Sequence, residues 1–143
     1  MEKHLANLEM LQEEAAAFAQ KLSPKTEGAT LVTLIGELGA GKTSFVQGLA
    51  RALAIEDAVT SPTFVLEKVY ATGKGPYARL AHIDAYRLKG GKDLPALGFD
   101  ELLKDPATLV CLEWPELVAD GLPNADHAIS LRVEGEGRII SYA

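Results

Sequence analysis

Residues Gly36-Glu37-Leu38-Gly39-Ala40-Gly41-Lys42-Thr43 match the pattern G-x-x-x-x-G-K-[ST] in full, and that octet dictates what must surround it. Its glycines let the backbone turn so that successive N–H groups point inward toward an anion. A following helix adds the partial positive charge of its N-terminus to the same anion. Both required flanks are present. Thr30-Leu31-Val32-Thr33-Leu34-Ile35 is apolar, rich in β-branched residues and without alternation, which predicts a buried strand. Beyond the loop, Phe45, Val46, Leu49 and Leu53 recur at helical spacing and predict a helix over Lys42 to Leu53. Lys42 is placed to reach the β- and γ-phosphates of a nucleotide as a point charge, and the Thr43 hydroxyl to complete a Mg²⁺ shell. Glu37, Leu38, Gly39, Ala40, Gly41, Lys42, Thr43 and Ser44 are therefore the expected ATP- or ADP-binding residues. The competing explanation is a strand–helix turn with incidental glycines.

Around this unit the chain alternates strand and helix. Leu8, Leu11, Ala15, Phe18 and Leu22 recur at three- and four-residue steps, predicting a helix over 7–22 with Asn7 as its cap and Ser23-Pro24 as its stop. Further strands are expected at 64–70, at Arg79 to Asp84 and at Thr108 to Leu112, with a turn at Gly73 to Pro76. A shorter helix is expected across Asp93 to Lys104. The tail reads as a hairpin, with strands at 126–133 and 138–142 around Glu134-Gly135-Glu136-Gly137. The pattern predicts an α/β layered domain whose sheet is partly antiparallel.

At 143 residues the chain fits one domain, 1–143, large enough to bury a core without staples. Its 20 acidic and 14 basic side chains give a net charge of −6, which argues against coating nucleic acid by bulk charge. One cysteine, Cys111, excludes an internal disulfide and a cysteine zinc site. No apolar run approaches the ~20 residues of a membrane span. Met1-Glu2-Lys3-His4 lacks the shape of a signal peptide, so a cytoplasmic protein is expected.

A phosphate loop needs a second acid to complete the metal site or orient water. Glu113 is the first candidate, because it ends the second buried strand, where open α/β sheets present their ligand crevice. Asp84 ends another strand, and alternation places His82, Asp84 and Tyr86 on one face of it. Thr60-Ser61-Pro62-Thr63-Phe64 is a hydroxyl-rich loop where a segment sensing the γ-phosphate would sit. Each has a plainer alternative: a solvated strand end, a polar strand edge, a turn that starts the next strand. A lone Trp114 is more often a core residue than a functional one.

Together with the phosphate loop, the segments Thr60 to Phe64, His82-Ile83-Asp84-Ala85-Tyr86-Arg87-Leu88, Leu97-Gly98-Phe99-Asp100-Glu101 and Glu113-Trp114-Pro115-Glu116 resemble the bacterial tRNA threonylcarbamoyladenosine biosynthesis ATPase family, TsaE or YjeE. The resemblance implies a small three-layer P-loop NTPase-like fold, with Mg²⁺ held by Thr43 and Glu113 and catalysis carried by Lys42, Asp84 and Glu113. It also implies that Arg138, in the Gly137-Arg138 pair, lies near the nucleotide. The N-terminal helix should lie close to the adenine, although Leu11 stands where a polar residue is expected. The implied activity is ATP hydrolysis in association with TsaB and TsaD, which modify the adenosine next to the anticodon of certain tRNAs. Two other functions fit a phosphate loop: a small-molecule kinase, and a nucleotide-gated binding module without turnover. A kinase would need a substrate domain and an arginine-bearing lid, and little chain remains for them.

Overall fold

The computed structural model describes residues 1–56, 59 and 67–143. Seven strands form one sheet: β1 (Glu2–Leu5), β2 (Thr30–Ile35), β3 (Glu67–Ala71), β4 (Arg79–Asp84), β5 (Thr108–Glu113), β6 (His127–Glu134) and β7 (Gly137–Tyr142). Their spatial order is β1-β7-β6-β2-β5-β4-β3. The centre is parallel, with β2 between β5 and β6 and β4 beside β5. The outer pairs β3–β4, β6–β7 and β1–β7 are antiparallel. The α/β class, the mixed sheet and the C-terminal hairpin are thus as the sequence predicts.

Two layers flank the sheet, because successive side chains of a strand point to opposite faces. On β2 and β5, Val32, Leu34, Leu109 and Cys111 face one core with α1 (Leu8–Lys21) and α2 (Lys42–Ala52). Leu31, Val110 and Leu112 face a second core with Phe99 of α3 (Phe99–Leu103), Leu94 and Val118. Every residue of β5 is buried, as expected of a strand covered on both faces. Leu11, Phe45 and Leu49 are fully buried between helices and sheet, each contributing about 1.5–3 kcal/mol through burial. The two helices approach closely at Gly48, where a Cβ would stand 2.7 Å from that of Ala15.

Two expectations change, and one strand was not expected. The first strand, β1, is four residues long with only Leu5 buried, and it exists through pairing with β7. No local pattern announces it. The helix expected over Asp93 to Lys104 is instead two 3₁₀ turns, Gly91–Asp93 and Pro95–Leu97, followed by the five-residue α3. Gly98 at φ +71° separates them, a conformation that ends a helical run. Leu8, counted in the apolar stripe of α1, is 56% exposed. Asn7 does cap α1, its side chain accepting from the Met10 amide at 2.9 Å. Among the described residues no helix is long and apolar enough to cross a membrane.

Candidate functional site

The site lies at the carboxyl ends of the parallel strands, where β2 runs into the glycine loop and β5 ends at Glu113. Gly39 at φ +81° and Gly41 at φ +107° adopt left-handed conformations that side-chain-bearing residues avoid. Gly41 also has no room for a Cβ, which would stand 2.6 Å from the Leu11 side chain. Leu11 therefore packs against the loop, which accounts for an apolar residue where a polar one was expected. Helix α2 starts at Lys42 with no side-chain cap and no acidic residue in its first turn. Its first N–H groups and its dipole remain available to an anion.

Lys42 is only 5% exposed. Its ammonium donates to the carbonyls of Gly36 and Glu37 and lies 4.2 Å from the centroid of the Trp114 ring. Burial pushes the Lys42 pKa below the usual lysine range, opposed by the carboxylates of Glu113, Asp84, Glu116 and Glu37. The Thr43 hydroxyl donates to the Glu113 carboxylate, with its oxygen 3.1 Å from Oε2 and 3.3 Å from Oε1. Glu113 is 3% exposed and is met from the other side by the His82 ring, Nε2 to Oε2 at 2.5 Å. In register, Glu113 stands between Leu34 of β2 and Asp84 of β4. Trp114 has φ +61°, a strained conformation for a tryptophan that costs about 1–3 kcal/mol. That turn carries its ring out of the sheet, over Lys42 and 5.0 Å from the ring of Tyr86.

Asp84 accepts from the Tyr86 amide at 3.0 Å. Burial raises its pKa above the usual aspartate value, with the Tyr86 hydrogen bond opposing the shift and Glu113 adding to it. Between its unfolded and folded pKa values the native protein therefore holds a proton that the unfolded chain has already released. Stability falls as pH rises through the interval between the unfolded and folded pKa values, and above it the ionised group is a standing cost. Asp84→Asn is accordingly expected to raise the urea midpoint at pH 7, since asparagine can still cap the turn. A lowered midpoint would contradict burial as the dominant influence on this residue.

These groups line a cleft of about 570 Å³ together with Asn7, Leu8, Leu11, Leu38, Gly39, Gly41, Ser44, Arg87, Glu136 and Arg138. Arg138 points its guanidinium at the loop itself: Nε donates to the Ala40 carbonyl at 3.0 Å, and one terminal nitrogen to the Gly39 carbonyl at 2.9 Å. Ala40 is fully buried, and its amide donates to the Glu37 carbonyl at 3.0 Å. It shapes the turn and does not line the cleft.

The sequence profile described as Threonylcarbamoyl adenosine biosynthesis protein TsaE matches residues 9–140. The chain belongs to the TsaE family. The tRNA threonylcarbamoyladenosine biosynthesis protein TsaE of Treponema pallidum is 42% identical over 113 residues, 78% of each chain. The TsaE protein of Bacillus subtilis is 37% identical over 125 residues, 87% of this chain and 75% of its own. The TsaE protein of Streptomyces coelicolor is 44% identical over 99 residues, 68% of this chain, and the match spans 64% of that relative's length. The crystal structure of Bacillus subtilis YdiB superposes with a TM-score of 0.73 at 26% identity, covering 99% of this chain and 83% of that one. The family and the fold it implies are therefore those read from the motifs.

Within this TsaE chain, the fold gathers Lys42, Thr43, Glu113, Asp84 and Arg138 at one cleft. The exposed Glu37 is absent from the cleft wall, although its carbonyl accepts from Lys42. The segment Thr60 to Phe64 lies outside the described residues. Trp114, favoured by sequence as a core residue, is half-buried: it packs against the second core and also lines the cleft. Tyr86 and Leu8 were missed as cleft residues. For Leu8 a signal existed: it falls in the first turn of the helix, at the end facing the phosphate loop.

Proposed function

We propose that this chain is a Mg²⁺-dependent, cytoplasmic P-loop ATPase that serves tRNA threonylcarbamoyladenosine biosynthesis by nucleotide-gated association with TsaB and TsaD. The observation that carries this reading is the Thr43 hydroxyl 3.1 Å from the Glu113 carboxylate, one residue beyond the loop lysine. These two oxygen donors suit a hard cation whose remaining ligands are phosphate oxygens and water. Among the described residues no cluster of three His, Cys, Asp or Glu side chains offers a metal site of its own. Thr43 and Glu113 would thus hold Mg²⁺ only together with the nucleotide. Held by Thr43 and Glu113, Mg²⁺ would supply positive charge to offset the negative charge that develops on the phosphoryl group.

The chain's own groups do the rest. The loop amides and the start of α2 bind the phosphates, with Lys42 exchanging its carbonyl partners for phosphate oxygens. Asp84, beside Glu113 at the cleft, is positioned to accept a hydrogen bond from the attacking water, so Asp84→Asn should also slow turnover. The apolar side chains of Leu8, Leu11 and Leu38, which line the cleft, suit the base. Among the described residues that line the cleft, the arginines are Arg87 and Arg138. Arg138 is committed to loop carbonyls, and Arg87 is exposed at the rim. An arginine finger is worth about 10³–10⁵ in rate, so the lone chain should hydrolyse ATP slowly and be stimulated by its partners. A partner that binds better to the nucleotide-loaded conformation makes assembly depend on ATP. The test is turnover and complex formation with ATP, ADP and no nucleotide across a range of TsaB–TsaD concentration. Stimulated turnover with ATP-dependent assembly is expected. Full-speed hydrolysis alone, with association indifferent to nucleotide, would contradict it.

A further inference from the structure

The geometry points to His82 as a positioning residue that holds the Glu113 carboxylate against Thr43, a role that rests on the Mg²⁺-ATPase reading above. His82 is fully buried in β4, paired in register with Cys111, and Glu113 is its diagonal neighbour two residues further along β5. Diagonal cross-strand pairs are within reach of a ring this long. Its Nε2 lies 2.5 Å from Glu113 Oε2, the oxygen that also accepts from Thr43 at 3.1 Å. The carboxylate is thus gripped from β4 and α2 together.

The other ring nitrogen, Nδ1, is buried with no hydrogen-bond partner among the described residues. Buried polar atoms are nearly always paired, and among the described residues the pairing of this ring is with Glu113. It also fixes the proton. With it on Nε2, the ring donates to the carboxylate and leaves only an acceptor unmet. The opposite tautomer would bury an unmet N–H and set a bare nitrogen against a carboxylate. The imidazole is therefore a one-ended donor aimed at Glu113. Partners behind a metal ligand orient it, and their loss costs about 10–100-fold in metal affinity or activity. Asp84 follows His82 by two residues on the same face of β4, so the same ring also anchors the strand bearing the second acid to the first.

The experiment compares wild type, His82→Phe, His82→Gln and His82→Asn by calorimetric ATP titration in Mg²⁺ and in EDTA, with turnover in parallel. The Phe ring fills the site without a donor. Glutamine carries an amide N–H to about the place of ring Nε2, and asparagine stops one bond short. For Phe and Asn, affinity in EDTA should stay within about twofold of wild type, while the gain conferred by Mg²⁺ and kcat fall about 10–100-fold. Gln should recover most of both. Nitrogen-15 imidazole shifts of the nucleotide-free protein should give the Nε2–H tautomer, a readout that needs no activity. Wild-type Mg²⁺ dependence in His82→Phe, equal defects in Gln and Asn, or an Nδ1–H tautomer would each overturn the role. If Phe does not fold, the Gln–Asn contrast and the tautomer decide. Failure of the ATPase reading is distinct: wild type itself would show neither Mg²⁺-dependent binding nor turnover, and this role would fall with it.

Discussion

Glu113→Gln is expected to lower single-turnover ATP hydrolysis by about 10²–10³-fold while changing ATP affinity in EDTA far less. The substitution keeps the shape of a side chain that is 3% exposed and keeps one oxygen to accept from Thr43 and His82. It removes the negative charge from the donor set proposed for Mg²⁺. Charge stabilisation of that kind is worth several kcal/mol in the transition state, and each 1.36 kcal/mol is tenfold in rate. Most of the binding energy for the nucleotide comes from loop amides and Lys42, which the substitution leaves in place. Rapid-quench measurement of one turnover checks it. A wild-type rate would remove Glu113 from the reaction.

The second large effect falls on binding. Lys42→Ala is expected to weaken ATP and ADP alike by about ten- to a hundredfold, the loss of one charged contact of about 1.5–3 kcal/mol. The lysine is held at the loop by two backbone carbonyls and the Trp114 face, among four carboxylates that favour its charged form. Burial lowers its pKa, and those carboxylates oppose the shift. The fold should persist, since the side chain packs at the cleft and not within either apolar core. Calorimetry on the folded variant checks this, and unchanged affinity would place the phosphates elsewhere.

How much was legible in the chain follows from how local each signal is. The phosphate loop and its flanks are written in consecutive residues, and β2, the loop and α2 appear where the pattern sets them. Glu113 and Asp84 were legible because each ends an apolar strand, and parallel registration of β4 with β5 brings them opposite each other. Strand β1 was not, since its four residues acquire meaning only beside β7, more than 130 positions away. Helical spacing around Asp93 to Lys104 was outweighed by Gly98 at positive φ. Trp114 was legible only in part, since it packs against the second core and also lines the cleft. Composition speaks for a core residue, but a left-handed backbone at the strand end turns the ring toward Lys42. The His82–Glu113 contact joins two strands whose adjacency no local pattern specifies, although alternation had placed His82 and Asp84 on one face.

This chain is expected to turn over ATP at the phosphate loop without a second substrate. Multiple-turnover phosphate release by the purified chain, with ATP and Mg²⁺ as the only additions, tests it most directly. The account predicts slow, continuous release that stops when EDTA replaces Mg²⁺. Tight ATP binding with no phosphate released over many hours, with or without Mg²⁺, would contradict it and leave a nucleotide-gated binding module.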